Sequence, residues 1–306
     1  MWHTLQDSLC ELGESPFWHP DERSLYWLDI PGRAVLRTRG EIETATVERW
    51  SLPAEPGCMA PARSGGLVIA LRDGIYRART WDGPLVRIAR FDYDTRTMRF
   101  NDGKCDARGR FWAGTLNEAK DGPSAALYCV DARAGGEPTA VQMAGNATTA
   151  NGLAFSPDQQ TMYWADTAAH VIRAWDWDAD SNVLSAPRVF HQFDAKPADW
   201  AVGNGVAYAG RPDGATVDMD GNYWAAMFEG AQLLRLSPQG QLLDAVPTPV
   251  QCPTMPCFGG DDLRTLFVTS ARRGRPADEL ALKPASGCII ATRVATPGLP
   301  VQFFED

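Results

Sequence analysis

Histidine is scarce in this sequence. Four residues, at positions 3, 19, 170 and 191, stand among 306, and none share a spacing such as HxH or HExxH. That argues against a zinc centre built on imidazoles. Positive charge is also in deficit: the net charge is −9 and no basic stripe interrupts it, so neither nucleic acid nor an anionic membrane is expected as a partner. No apolar run approaches the length of a bilayer span. The first residues, MWHTLQDSLCELGESPFW, lack a basic region followed by an apolar core, so they are not read as a signal peptide. A GxSxG elbow is missing, and four scattered histidines offer no Ser-His-Asp set. Seven cysteines, an odd number spread from Cys10 to Cys288, fit free thiols of a reducing cytoplasm better than a disulfide framework. Cys252 and Cys257 have no second pair and read as buried thiols, not as a zinc ribbon. A helical period sustained over a dozen residues is missing as well.

What the chain does have is turns and aromatics: 28 glycines, 22 prolines and 11 tryptophans, a mixture that favours β structure. It also repeats. When Glu14 of ESPFWHPDERSLYWLD is laid on Asn151 of NGLAFSPDQQTMYWAD, Pro20-Asp21 falls on Pro157-Asp158, Tyr26-Trp27 on Tyr163-Trp164 and Asp29 on Asp166. NDGKCDARGRFWAG from Asn101 overlays DGATVDMDGNYWAA from Asp213, matching Asp106 with Asp218, Gly109 with Gly221 and Trp112 with Trp224. Weaker copies occur at MAPARSGGLVIAL near residue 60 and TMPCFGGDDLRTLFVTS near 255. Six copies at intervals of about 40–50 residues are the signature of propeller blades. Each copy joins a short apolar strand to a second strand through a polar turn, and VIRAWDWD and QLLRLSPQGQLL supply further strands. The expectation is an all-β, six-bladed β-propeller with four-stranded blades around a central channel. The N-terminal residues should close it against the strand GCIIATRV. With no internal linker, residues 1–306 are read as one domain, and 179–211 as an elaborated loop at the channel mouth or an interface.

In a propeller the innermost strands line the channel, so equivalent positions converge on the axis. Here those positions hold Glu14, Asn101, Asn151 and Asp213, with non-acidic residues near Ala60 and Thr254 in the other two copies. Taken singly, Glu14 reads equally as a surface charge, and the other three as turn formers. Together they are oxygen donors meeting at one axis, which suits a hard divalent cation and an asymmetric, substrate-accepting ring. Arg99 lies two residues before Asn101 and would share its face of the strand.

The stretches LGESPFWHPDERSLYWLDI, RFNDGKCDARGRFWAGTL, NGLAFSPDQQTMYWADT, RPDGATVDMDGNYWAA and CFGGDDLRTLFVTSAR, in that order from about residue 10 to 290, resemble the gluconolactonase, regucalcin and senescence-marker-protein family. The resemblance implies metal-dependent hydrolysis of a sugar lactone to the aldonic acid. It implies one divalent ion (calcium, magnesium, manganese or zinc, calcium first) held by Glu14, Asn151 and Asp213. It makes Asp213 the catalytic base and Arg99 and Asn101 the substrate-binding pair. Glu118 is the nearest match to an acid some members use. The partner would be a small-molecule lactone bound by a monomer or small homo-oligomer. Two other readings remain open: a metal-dependent esterase or phosphotriesterase on the same scaffold, and a non-enzymatic calcium-binding propeller.

Overall fold

The computed structural model describes residues 1–39 and 44–306. Six four-stranded antiparallel sheets stand around a common axis as a six-bladed β-propeller. Their inner strands are Gly13–His19, Pro56–Pro61, Met98–Cys105, Ala150–Phe155, Arg211–Val217 and Pro253–Gly259, in blades one to six. Each packs on the inner strand of the next blade, and the sixth returns to the first. Apolar residues facing outward from one sheet and inward from the next fill the gaps, as where Val68 and Ile75 meet Phe100 and Phe111 between blades two and three. One short helix, Ala277–Leu282, is the sole α-helix among the described residues, and none there is long and apolar enough to cross a membrane.

The spacing D-x-x-G-x-x-W has a physical cause. In blade three the fully buried Asp106 accepts hydrogen bonds from the indole Nε1 of Trp112 at 2.8 Å and from Arg110 Nε at 2.6 Å. In blade five Asp218 accepts from Trp224 Nε1 at 2.9 Å and from the backbone N of Asn222. A short acid at the turn satisfies the indole that the core needs, and Gly109 and Gly221 take the left-handed conformation that completes the turn.

The ring closes as expected: His3 pairs with Ala291 and Thr4 with Ile290, so the chain's first strand becomes the outer strand of blade six. This covers an edge that would otherwise offer unpaired backbone groups. The far end of the chain then crosses the ring. The backbone N of Met219 donates to Pro297 O, Phe304 N to Pro61 O and Glu305 N to Gly109 O, which ties blade five to blades two and three. Residues 299–302 thereby line one end of a channel cavity of about 170 Å³, with Lys104, Met59 and Met255 on its walls. The stretch 179–211 is only partly a loop. Val183–Gln192 is the outer strand of blade four, and residues 193–210 alone are irregular.

Asp106→Ala should strand Arg110, whose side chain is itself buried, without its partner. A cost of about 3–5 kcal/mol is expected in denaturant unfolding, because breaking a buried pair leaves an uncompensated charge.

Candidate metal centre

Every inner strand carries a one-residue irregularity near its start. Register shifts fall between Glu14 and Phe17, Pro56 and Cys58, Phe100 and Gly103, Asn151 and Ala154, Pro212 and Ala215, and Pro253 and Pro256. Such bulges re-aim a side chain and end local pairing. The four candidate residues sit in them or on their edge, so the same device turns each toward the axis. Ser15 and Gly152 directly follow Glu14 and Asn151 and share positive φ angles of 50° and 58°. That identical local conformation confirms the register drawn between blades one and four. In blade six Thr254 lies in the bulge and donates to Gly13 O at 2.6 Å. In blade two the bulge is at Gly57, three residues before Ala60; a Cβ there would collide with the backbone of Phe100 and Asn101. Blade two thus contributes close packing and no side chain.

Glu14, Asn101, Asn151 and Asp213 are all buried and close together. Asn101 Nδ2 donates to Asn151 Oδ1 at 2.9 Å, and Arg99 Nη1 donates to Asn101 Oδ1 at 2.9 Å. Asn151 Nδ2 is anchored on Thr167 Oγ1 at 2.8 Å, and that hydroxyl donates onward to Pro212 O at 2.7 Å, just before Asp213. The amide of Asn151 is therefore turned with its oxygen toward the axis. Neither Glu14 nor Asp213 forms an ion pair among the described residues. Burial, then repulsion from Asp213 and Asp102, pushes the Glu14 carboxyl well above the usual range. Burial and Asp102 push Asp213 up to about 8, against the opposing pull of Arg211 and Lys120. Buried carboxylates held at close quarters with no cation in ion-pair contact are a poor arrangement for a finished protein and a suitable one for a divalent ion with oxygen ligands.

Several neighbours escaped the sequence reading. Asp102 is buried under the same axis; its Oδ2 accepts from Leu153 N at 2.9 Å, while Oδ1 has no hydrogen-bond partner. Lys104 reaches Ala215 O at 2.8 Å further down the channel. Both lie in the quoted NDGK stretch, but turn chemistry masked them. Thr167 ends the quoted WADT stretch, and Arg211 opens RPDG. Glu118, the nearest match to the acid some members use, is clamped by Arg72 through two bonds of 2.9 and 3.0 Å and lies 3.6 Å from Arg99 Nε. It holds the arginine that holds Asn101.

Without divalent ions, the native state keeps Asp213 protonated at pH values where the unfolded carboxyl, near about 4, has ionised. The native state then binds more protons, so stability should fall as pH rises from about 4 toward 8. Denaturant midpoints of chelator-treated protein at pH 5 and pH 8 measure this, and Asp213→Asn should shrink the difference.

The family model for the SMP-30/gluconolactonase/LRE-like region matches residues 12–272. A 6-deoxy-6-sulfogluconolactonase of Pseudomonas putida is 42% identical over 293 residues, covering 96% of this chain and 94% of that one. Regucalcin of Danio rerio is 33% identical over 294 residues, covering 95% and 93%. The crystal structure of a regucalcin from Agrobacterium tumefaciens superposes with a TM-score of 0.86 over 98% of this chain and 96% of that one, at 23% identity, which bears on the fold. The chain belongs to the SMP-30/gluconolactonase/LRE-like family.

Proposed function

We propose that this protein, acting through residues 1–306 as one domain, hydrolyses a sugar lactone to its aldonic acid with one divalent ion at the axis. The observation that carries the reading is the meeting of Glu14 and Asp213, both buried and neither ion-paired, beside the Arg99–Asn101 pair. A relative 42% identical is a sugar lactonase by name, which supports the choice of substrate class. Glu14, Asn151 and Asp213 would hold the ion, with calcium first among candidates because every donor is a hard oxygen. The ion would supply Lewis-acid polarisation of the lactone carbonyl.

The chain's own residues do the rest. Arg99 and Asn101 orient the sugar through its hydroxyls, with Asn101 fixed by Asn151 and Ala150 and Arg99 by Glu118. Asp213 accepts the proton of the attacking water as its oxygen bonds to the carbonyl carbon. The same proton then goes to the ring oxygen as the C–O bond breaks, so the step balances without any further group. Burial raises the basicity of Asp213, and this opposes the lowering that a bound cation would bring. No covalent nucleophile is needed for an activated cyclic ester. The buried thiol of Cys58 is pushed well above its ordinary pKa by burial and by the charges of Asp102 and Glu14, which makes it a poor nucleophile.

Chelated protein should lose turnover of a panel of aldonolactones and regain it on reloading with a single divalent metal. Asp213→Ala should lower kcat by about 10²–10⁴-fold, the usual worth of a general base. Turnover that survives chelation, or an Asp213→Ala variant within a few-fold of wild type, contradicts the proposal.

A further inference from the structure

The register that pairs Asn101 with Asp213 also pairs Arg99 with Arg211, each two residues upstream on its inner strand. The two arginines are differently engaged. Arg99 is held in place through Nη1 by Phe100 O and Asn101 Oδ1 and through Nε by the nearby Glu118. Arg211 stacks 5.2 Å over the ring of Phe228, and its one ion-pair partner among the described residues is Glu229 at 3.4 Å. Glu229 is already taken: its Oε1 accepts from Lys196 at 2.8 Å and from Arg275 at 3.0 Å. Its Oε2, the oxygen on the Arg211 side, makes no hydrogen bond. Arg275 is also paired at two points with the buried Glu279, so three cations meet two carboxylates, and the guanidinium donors of Arg211 form no hydrogen bond among the described residues.

A second cation comes from blade three. Asn117 shapes the loop after the strand Phe111–Asn117: its Oδ1 accepts from Ala119 N, and its Nδ2 donates to Asp121 Oδ1 at 2.8 Å and to Gly122 O. Asp121 is therefore held by Asn117. Lys120 between them adopts a left-handed φ of 54° and has no side-chain ion pair or hydrogen bond among the described residues. Non-glycine residues hold that conformation where the surroundings impose it, often at functional sites. Asn117 pairs with Met98 at the start of the blade-three inner strand, so the loop carrying Lys120 stands at the same end of the ring as Arg211, which opens the inner strand of blade five, with blade four between them. His170, whose Nε2 lies 2.9 Å from Tyr208 OH, also feels Arg211 and adds neutral hydrogen-bonding groups to the rim.

Arg211 has open guanidinium donors and Lys120 has no side-chain partner among the described residues, so both are available to an anionic group on the substrate. We infer that Arg211 and Lys120 form a receptor for a tetrahedral oxyanion, a sulfonate or phosphate, carried by the lactone at the end away from its carbonyl. A group with three oxygens can meet a guanidinium from blade five and an ammonium from blade three at once, which a planar carboxylate does less well. The inference rests on the lactonase reading and names its substrate class.

The test uses the metal-loaded full chain. kcat/KM is measured on glucono-lactone, its 6-phosphate and its 6-deoxy-6-sulfonate, in wild type, Arg211→Gln and Lys120→Gln. Wild type should favour an anionic lactone, and the phosphate and sulfonate arms show which oxyanion it takes. Each substitution should cut the ratio of anionic to neutral kcat/KM by roughly tenfold, the worth of a charge-assisted hydrogen bond. Calorimetric binding of glucitol 6-phosphate against glucitol reads the same receptor without turnover. Unchanged ratios, with no affinity difference between the two glucitols, overturn the receptor. Arg211-dependent binding of glucitol 6-phosphate, with no lactone hydrolysed, supports the receptor and overturns the lactonase reading.

Discussion

Two carboxylates from either side of blade six, Glu14 of blade one and Asp213 of blade five, are buried close enough to repel one another. Taking an unpaired charge out of water costs several kcal/mol, and two like charges at one place cost more. Unless a cation or a proton intervenes, the axis cannot hold both as anions. Much of the surrounding detail follows from this constraint. Asn101 and Asn151 offer neutral oxygens instead of further charge, Thr167 fixes which way the Asn151 amide turns, and Arg99 and Arg211 flank the pair on two blades.

The propeller is what makes such a concentration affordable. Ring closure through His3–Thr4 and the C-terminal crossing from Pro297 to Glu305 fix the six inner strands relative to one another. A buried Asp106 or Asp218 in each of two blades locks a tryptophan into the core several residues below the site. The bulges at the strand starts then turn selected side chains inward without moving the scaffold. Rigidity is held in the blades, and chemical variety is confined to the positions where the repeats differ.

Those differences also governed what could be read without coordinates. Glu14 and Asn151 were legible because Pro-Asp turns, aromatic pairs and a closing aspartate recur at fixed distances after them, and the shared left-handed residue shows that the register is right. Arg99 was reached through the resemblance of the RFND stretch to the family, with strand alternation from Asn101 in support. Its counterpart Arg211 was missed, although the same two-residue step from Asp213 leads to it. Nothing in RPDG separates a binding arginine from a turn flank; only the crowding of three cations on Glu229 does. Asp102 was hidden inside turn-like sequence, and Lys120 depends on a loop shaped by the Asn117 side chain. The irregular part of 179–211 proved shorter than its composition implied, because polar Val183–Gln192 forms an exposed outer strand with little apolar alternation. Blade two misled for the opposite reason: its bulge position is a glycine, which leaves no chemical mark in the sequence.

The proposed binding of one ion between Glu14 and Asp213 is the step on which the site's chemistry depends. Calorimetric titration of chelated protein with a divalent cation, repeated in buffers of different ionisation enthalpy, measures it directly. One ion per chain should bind, with proton release near neutral pH because Asp213 must give up its proton, and Glu14→Gln should weaken binding severely. Undiminished binding in Glu14→Gln, or binding without proton release, would contradict it.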